Sequence, residues 1–343
     1  KEMGFNGLIL TDALDMKGVS RNKEPGEVDL AAFMAGNDVL LMSEDVGKAS
    51  QSIIDAVNSG KVSEERLELS VKKILYAKYK AGLNNFEPIS TSFLVKELYT
   101  ARDEALLEEL YENAITLVKN NKAVVPVKNL EKQKIAYVNF GDDDGSIFLD
   151  EMKKYTRIDW VKSANLSELL EKLENYSYVV IGFHKSNSSP WASYKFSDKE
   201  LVWLHEIARK NKTVLSVFTR PYALNDIKSF TNIEGIIVGY QNHPLAQRKA
   251  AQVLFGAVDA KGKLPVSVKN EFPVGTGFNT KNLKRLAYGT PESVGMNSAK
   301  LKKIDSIIKY AIEEKMTPGA QILIARKGKV VYKKNFGYQT YEK

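Results

Sequence analysis

Asp12 is the residue of this sequence best placed to do chemistry. It stands in Gly7-Leu8-Ile9-Leu10-Thr11-Asp12-Ala13-Leu14-Asp15-Met16, where a short apolar run stops at a threonine and an aspartate. The pattern predicts a buried strand that delivers a carboxylate to its C-terminal edge. In a parallel α/β barrel that edge carries the catalytic residues. A carboxylate there can act as a nucleophile or as an acid–base group. The same position also suits a helix N-cap or a turn, and Asp15 reads as a loop cap.

Other chemistry-bearing residues are weaker candidates. Asp142, Asp143 and Asp144 lie together between Gly141 and Gly145. Three carboxylates would repel a phosphate, and the twelve-residue calcium loop with its distal Glu is absent, so capping of a helix starting at Gly145 or Ser146 is the expectation. The three histidines, His184, His205 and His243, show no metal-ligand spacing. His205 fits the face of an amphipathic helix. His184 and Trp191 share the loop Gly182-Phe183-His184-Lys185-Ser186-Asn187-Ser188-Ser189-Pro190-Trp191, and His243 follows another strand. These loops mix polar groups with an aromatic, so His184, Trp191 and His243 are candidate substrate contacts, with loop capping as the alternative. Ser-x-x-Lys, the nucleophile motif of penicillin-recognising serine hydrolases, occurs at Ser20/Lys23, Ser70/Lys73 and Ser306/Lys309. A lysine-rich chain produces such matches by chance, and none is assigned a role.

The elements that must position these residues alternate between strand and helix. The opening reads as strand, helix (27–35), strand (38–42), and two helices (47–58 and 63–81), a pattern of parallel strands with crossover helices. Residues 84–101 lack a period and read as a linker, followed by a helix over 102–118. A second α/β series follows. Its strands are expected at 134–140, 158–161, 178–183, 213–218 and 235–240, with helices near 145–155, 166–175, 198–211 and 244–255. This predicts an open three-layer α/β/α sandwich. Gly262–Val268 reads as a turn and an edge strand. A helix over 298–314 and strands at 321–325 and 330–336, joined by Arg326-Lys327-Gly328-Lys329, form a last α+β piece with a hairpin signal.

Composition narrows the function classes. There is no cysteine, which excludes disulfides, thiolate metal sites and a cysteine nucleophile. The net charge is +8, but the lysines are scattered singly among acids, as on a solvated surface, and no nucleic-acid partner is expected. No apolar run is long enough to span a membrane.

The segments Gly4–Met16, Ala35-Gly36-Asn37-Asp38-Val39-Leu40-Leu41-Met42, Ala114-Ile115-Thr116-Leu117-Val118-Lys119-Asn120 and Ala250–Gly256 followed by Gly262–Val266 together resemble glycoside hydrolase family 3. They are most similar to its bacterial β-N-acetylglucosaminidase branch. The resemblance implies that Asp12 is the nucleophile of a retaining hydrolysis through a covalent glycosyl-enzyme. A retaining enzyme needs a second group about 5–5.5 Å away. In this branch that partner is a His held by an Asp, expected upstream of Lys1. In the β-glucosidase branch it is a Glu of the sandwich, and no matching Glu is found here. Ala35–Met42 matches the last barrel strand, and Ala114–Asn120 the helix leading into the second domain. Residues 291–343 resemble the start of a β-lactamase-like serine hydrolase, through Gly295-Met296-Asn297-Ser298, Thr317-Pro318-Gly319-Ala320 and Arg326–Tyr332, with its Ser-x-x-Lys expected beyond Lys343.

The expected organisation is therefore a C-terminal remnant of a (β/α)8 barrel at 1–83, a linker and connecting helix at 84–121, an α/β/α sandwich at 122–290, and a truncated serine-hydrolase stub at 291–343. The expected partners are an N-acetylglucosaminide, drawn by association from peptidoglycan fragments, and the missing N-terminal half of the barrel. No cofactor or metal is implied, and the association points to a bacterial envelope or periplasm, with the cytoplasm as the alternative. Two rival functions stand beside this one: a non-catalytic carbohydrate-binding or scaffolding sandwich, and a serine hydrolase.

Overall fold

A computed structural model describes residues 4–20, 23–269 and 271–341, the side chain of Ser20 excepted. The chain divides into two compact units, one up to Leu94 and the other from Val95 onward.

The first unit contains β1 (Leu10–Ala13), α1 (Lys17–Ser20), α2 (Glu27–Met34), β2 (Val39–Leu41), α3 (Val46–Asn58) and α4 (Glu64–Lys80). β1 and β2 pair in parallel, as the alternation predicts, with Leu10 opposite Val39 and Ala13 opposite Leu41. Helix starts are fixed by side-chain caps: Asp45 accepts from the Lys48 N–H at 3.0 Å, and Ser63 accepts from the Arg66 N–H at 3.2 Å. The apolar core is small, built on Phe33, Ala56 and Val62. Asp12 falls near the C-terminal end of β1, as expected. The strand is not buried as expected: Leu10 is 54% exposed, because a two-stranded sheet supplies neither the further strands nor the flanking layers that bury a parallel strand.

The division falls at the start of α5 (Leu94–Leu98), and α6 (Ala101–Ala114) follows in the second unit. The expected helix over 102–118 ends four residues early. Ile115-Thr116-Leu117-Val118 is β-branched and apolar, and Thr116–Asn120 forms β3, antiparallel to a later strand. In the expected helix, residues 102–114 are helical, Ile115 is the C-cap, and 116–118 belong to an edge strand. The series continues with β4 (Ile135–Gly141), α7 (Ser146–Lys153), β5 (Ile158–Trp160), α8 (Leu166–Leu173), β6 (Tyr178–His184), α9 (Asp198–Lys210), β7 (Thr213–Phe218), β8 (Ile233–Val238) and α10 (Pro244–Leu254).

These strands form a six-stranded sheet in the order β3-β8-β7-β6-β4-β5, parallel except at β3. Alternation along each strand builds two separate cores. In β6, Val179, Ile181 and Phe183 face a core shared with Leu169 of α8 and Leu204 and Ile207 of α9. Tyr178 and Val180 face the opposite core with Phe148 and Met152 of α7 and Val253 of α10. The expected three-layer sandwich is therefore present. The order reverses at β4, whose neighbours are β5 and β6, so α7 covers one face while α8 and α9 cover the other. Among the described residues the expected edge strand at Gly262–Val268 does not form, and a single bridge joins Val268 to Phe272.

β9 (Ala287–Tyr288), α11 (Ser298–Glu313), β10 (Gly319–Arg326) and β11 (Lys329–Gly337) complete the chain, with a three-stranded sheet in the order β10-β11-β9. The hairpin signal holds: Lys327 and Gly328 both take positive φ, 50° and 77°, as a two-residue turn between right-twisted strands requires. This piece belongs to the same compact unit as the sandwich. It is fastened through Lys249, 1% exposed, whose ammonium meets Glu108 at 2.6 Å and Glu112 at 3.1 Å, while Lys329 of β11 reaches Glu112 at 2.9 Å. No serine-hydrolase domain is identified there.

Candidate active site

In the first unit the Asp12 side chain is exposed at the carboxyl end of β1. Its Oδ1 accepts from the Ala13 N–H at 2.8 Å, the one hydrogen bond it has among the described residues. The neighbouring threonine ties the strands together: Thr11 Oγ1 accepts from the Leu41 N–H at 2.9 Å, and the Leu14 N–H donates to the Leu41 carbonyl at 3.0 Å. The carboxylate is thus exposed at a strand end whose backbone is pinned to β2.

The strands under Asp12 are held by a buried polar node that the sequence reading did not find. Asp38, just before β2, is 7% exposed. Its Oδ2 accepts from the Ile9 N–H and from Lys73 Nζ, both at 3.0 Å, and its Oδ1 accepts from Ser70 Oγ at 2.6 Å. Arg66 lies 3.6 Å away and donates to the Asn37 carbonyl at 2.9 Å. Burial alone would raise the Asp38 carboxyl, but the hydrogen bonds from Ser70, Ile9 and Lys73, with the Lys73 charge, outweigh it and hold the group below its ordinary value. The Ser70/Lys73 match is thereby explained: both residues anchor α4 to Asp38. Ser306 and Lys309 are exposed on α11, and the Ser20 side chain lies outside the described residues.

In the second unit the histidines separate sharply. His184 ends β6 and is fully buried, which removes it as a direct substrate contact. Strand parity turns it inward, where it stacks on Phe218 with ring centroids 4.5 Å apart. Its Nδ1 lies 3.0 Å from Asn242 Oδ1, and its Nε2 lies 2.9 Å from the Tyr137 hydroxyl. The Asn242 amide is oriented by Nδ2 donating to Asp143 at 2.6 Å and by Oδ1 accepting from Gln247 at 2.8 Å. The neutral imidazole therefore carries its proton on Nδ1. Burial pushes His184 down to about 4, against the opposing pull of Asn242 and of the Asp143 and Asp144 charges. Gly182 and Gly145 make room for this cluster, since a Cβ would stand 2.5 Å from His184 Nε2 at the first and 2.1 Å from the Tyr137 hydroxyl at the second.

The aspartate loop caps α7 as expected: Asp144 accepts from the Ser146 N–H at 2.9 Å. Asp142 pairs with Lys185 at 2.8 Å, and Asp143 holds Asn242. His243 is the N-cap of α10, accepting from the Leu245 N–H at 3.2 Å and stacking on Tyr111 at 4.9 Å. Burial and then the Arg248 charge lower its pKa. His243 lines a cleft of about 380 Å³ with residues of the 186–194 loop, and Arg220 anchors that loop by donating to the Pro190 carbonyl at 2.7 Å. Trp191 stands 91% exposed on the same loop and is outside the cleft wall. Arg220, which follows β7, was missed by the sequence reading. Its position after a parallel strand was the available signal. Among the described residues, no three His, Cys, Asp or Glu side chains cluster as a metal site.

The Glycosyl hydrolase family 3 N terminal domain matches residues 1–77, and the Glycosyl hydrolase family 3 C-terminal domain matches residues 115–290. The chain belongs to glycosyl hydrolase family 3. This family 3 chain is 27% identical over 281 residues to a probable beta-glucosidase C of Aspergillus flavus, covering 77% of this chain and 41% of that one. It is 31% identical over 137 residues to beta-hexosaminidase A of Pseudoalteromonas piscicida, covering 37% and 22%. Its fold is similar to that of a family 3 beta-N-acetylglucosaminidase from Paenibacillus, with a TM-score of 0.53, 21% identity, and 76% and 51% of the two chains covered. The chain thus spans about half the length, or less, of these relatives. The relatives' names divide among beta-glucosidase, beta-hexosaminidase and beta-xylosidase. The expected affiliation is correct at the level of the family, and neither family match extends beyond residue 290.

Proposed function

We propose that the protein is a retaining β-N-acetylglucosaminidase acting on peptidoglycan-derived sugars, with Asp12 as the nucleophile. The observation that carries this reading is an exposed carboxylate at the carboxyl end of a parallel strand, inside the segment that matches the family's N-terminal domain. Asp12 attacks the anomeric carbon, the leaving oxygen takes a proton from a second group, and water then releases the sugar from the ester. The first unit contains no histidine, so a His/Asp acid–base pair would have to come from outside these residues. A barrel that encloses such a site needs about eight strands, and β1 and β2 are two. The 343-residue chain alone is therefore expected to be inactive. His243 and Trp191 remain proposed substrate contacts of the second unit.

The test uses a mechanism-based 5-fluoro-N-acetylglucosaminyl fluoride on a longer product that includes the rest of the barrel. Peptide mass spectrometry is expected to find the sugar esterified to Asp12; a label on another carboxylate would overturn the assignment. Chromogenic N-acetylglucosaminide, glucoside and xyloside, compared by kcat/KM, decide the sugar. A glucoside preference would retain the nucleophile and discard the substrate. We further read residues 291–343 as the start of a β-lactamase-like module. Its test is a Ser-x-x-Lys in the downstream reading frame, without which the reading falls.

A further inference from the structure

The crevice at the point where the strand order reverses is unaccounted for by any of these roles. It is a cleft of about 530 Å³ above the carboxyl ends of β4 and β5, bounded on one side by the β5–α8 turn and on the other by the start of α9. In open α/β sheets this is where ligands bind. The volume suits one or two sugar rings.

Its wall carries two indoles and two ammonium groups. Trp160 ends β5 and Trp203 lies on α9, and both line the cleft. Lys162 Nζ sits 3.4 Å from the centroid of the Trp160 ring, and Lys199 Nζ sits 4.6 Å from that of Trp203. Neither lysine has a carboxylate within ion-pair distance among the described residues, although both are exposed. The two acids of the wall are committed elsewhere: Glu200 accepts from the Gly141 N–H at 2.7 Å and from the Ser197 N–H at 2.8 Å, and Asp144 caps α7. Ser163 and Ser197 add hydroxyls. The Trp160 Nε1 is a buried donor without a partner, an arrangement that leaves hydrogen-bonding capacity unused.

We infer that this cleft binds an anionic saccharide: a hexose whose ring lies against the indoles and whose carboxylate pairs with Lys162 and Lys199. Aromatic walls suit a sugar ring, and the two ammonium groups, held over the indoles by cation–π contact and without a carboxylate partner, can add charge-assisted hydrogen bonds to one negative group. A single carboxylate fits better than a phosphate, because Asp144 stands in the same wall and would repel a doubly charged group more strongly. The cleft lies wholly within the second unit, and its binding does not depend on turnover.

The three tryptophans make a direct test possible. In a Trp191→Phe background both remaining tryptophans line the cleft, so their fluorescence reports this site alone. Titration of the 343-residue chain with N-acetylmuramic acid is expected to give a saturable change. N-acetylglucosamine, which lacks the 3-O-lactyl group and with it the carboxylate, is expected to bind at least about fivefold more weakly. The exposed double variant Lys162→Ala/Lys199→Ala is expected to weaken binding of the acid by about tenfold or more and to remove its sensitivity to salt. Equal binding of the two sugars, binding unchanged in the double variant, or no change in signal with either sugar would each overturn the proposal. Tighter binding of uridine monophosphate than of N-acetylmuramic acid would replace a sugar site with a nucleotide site.

Discussion

The two units hold their polar interiors together in opposite ways. In the first, Asp38 is charged and sits among Lys73, Arg66 and Ser70. In the second, His184 is neutral and sits among Tyr137, Asn242 and Phe218. The difference follows from depth. The small core of the first unit leaves the Lys73 and Arg66 side chains 19% and 18% exposed, so the cations keep some hydration while they serve the carboxylate. His184 is fully buried against Phe148 and Phe218 with only neutral hydrogen-bond partners, where an ion without a counter-ion is too costly. Lys249 supplies the third case: it is as deeply buried as His184, yet its Glu108 partner is beside it. Depth excludes a charge only when no opposite charge is buried with it.

This contrast can be broken at four points. The largest effect is expected for Lys249→Ala, which leaves Glu108 buried without its cation and should cost about 3–5 kcal/mol. Urea unfolding followed by tryptophan fluorescence measures it, since Trp160, Trp191 and Trp203 all lie in the second unit. A loss below about 1 kcal/mol would mean that the pair contributes little.

The second point is the pH dependence of the same transition. An unfolded histidine titrates near 6.5, and His184 in the folded chain near 4. Between these values the unfolded state takes up a proton that the folded state refuses. The His184 contribution is complete above pH 6.5, declines by about 3 kcal/mol as the pH falls toward 4, and is flat below that. His184→Phe should flatten this part of the profile whatever its stability at pH 7. A slope that survives the substitution must come from another group.

Asp38→Asn is expected to cost about 2 kcal/mol, less than Lys249→Ala, because Lys73 and Arg66 can turn to water. Hydrogen exchange of the Ile9 amide, which donates to Asp38, reports this locally. The sign of its pH dependence matches the depressed carboxyl: its contribution is present above the unfolded pKa near 3.9 and is lost as the pH falls below it. The smallest effect is expected for Asp12→Ala, within about 0.5 kcal/mol, because the side chain is exposed and holds nothing but its own neighbour's N–H. A large loss of stability would make Asp12 structural and weaken its reading as a nucleophile.

Periodicity and turn chemistry alone located almost every element of the sandwich. β7 falls on Thr213–Phe218 as expected, and α10 stops one residue short of its expected end. Local signals sufficed there because strand and helix each have one dominant spacing. They failed at 115–118, where an apolar β-branched run fits a helix face as well as a strand, and the choice was made by pairing with β8. They failed again at Gly262–Val268, whose extended backbone finds no ladder.

Sequence by itself determined the strand-ending carboxylate at Asp12, the crossover pattern, and the ordered motifs of family 3. Tertiary structure decided what each side chain faces. It turned His184 inward, set Ser70 and Lys73 on Asp38, and joined Trp160 with Trp203 and Lys162 with Lys199 around one crevice, although the two tryptophans lie in different elements. The reason is that backbone hydrogen bonding and apolar period are local, whereas burial and charge pairing depend on neighbours that only packing brings together.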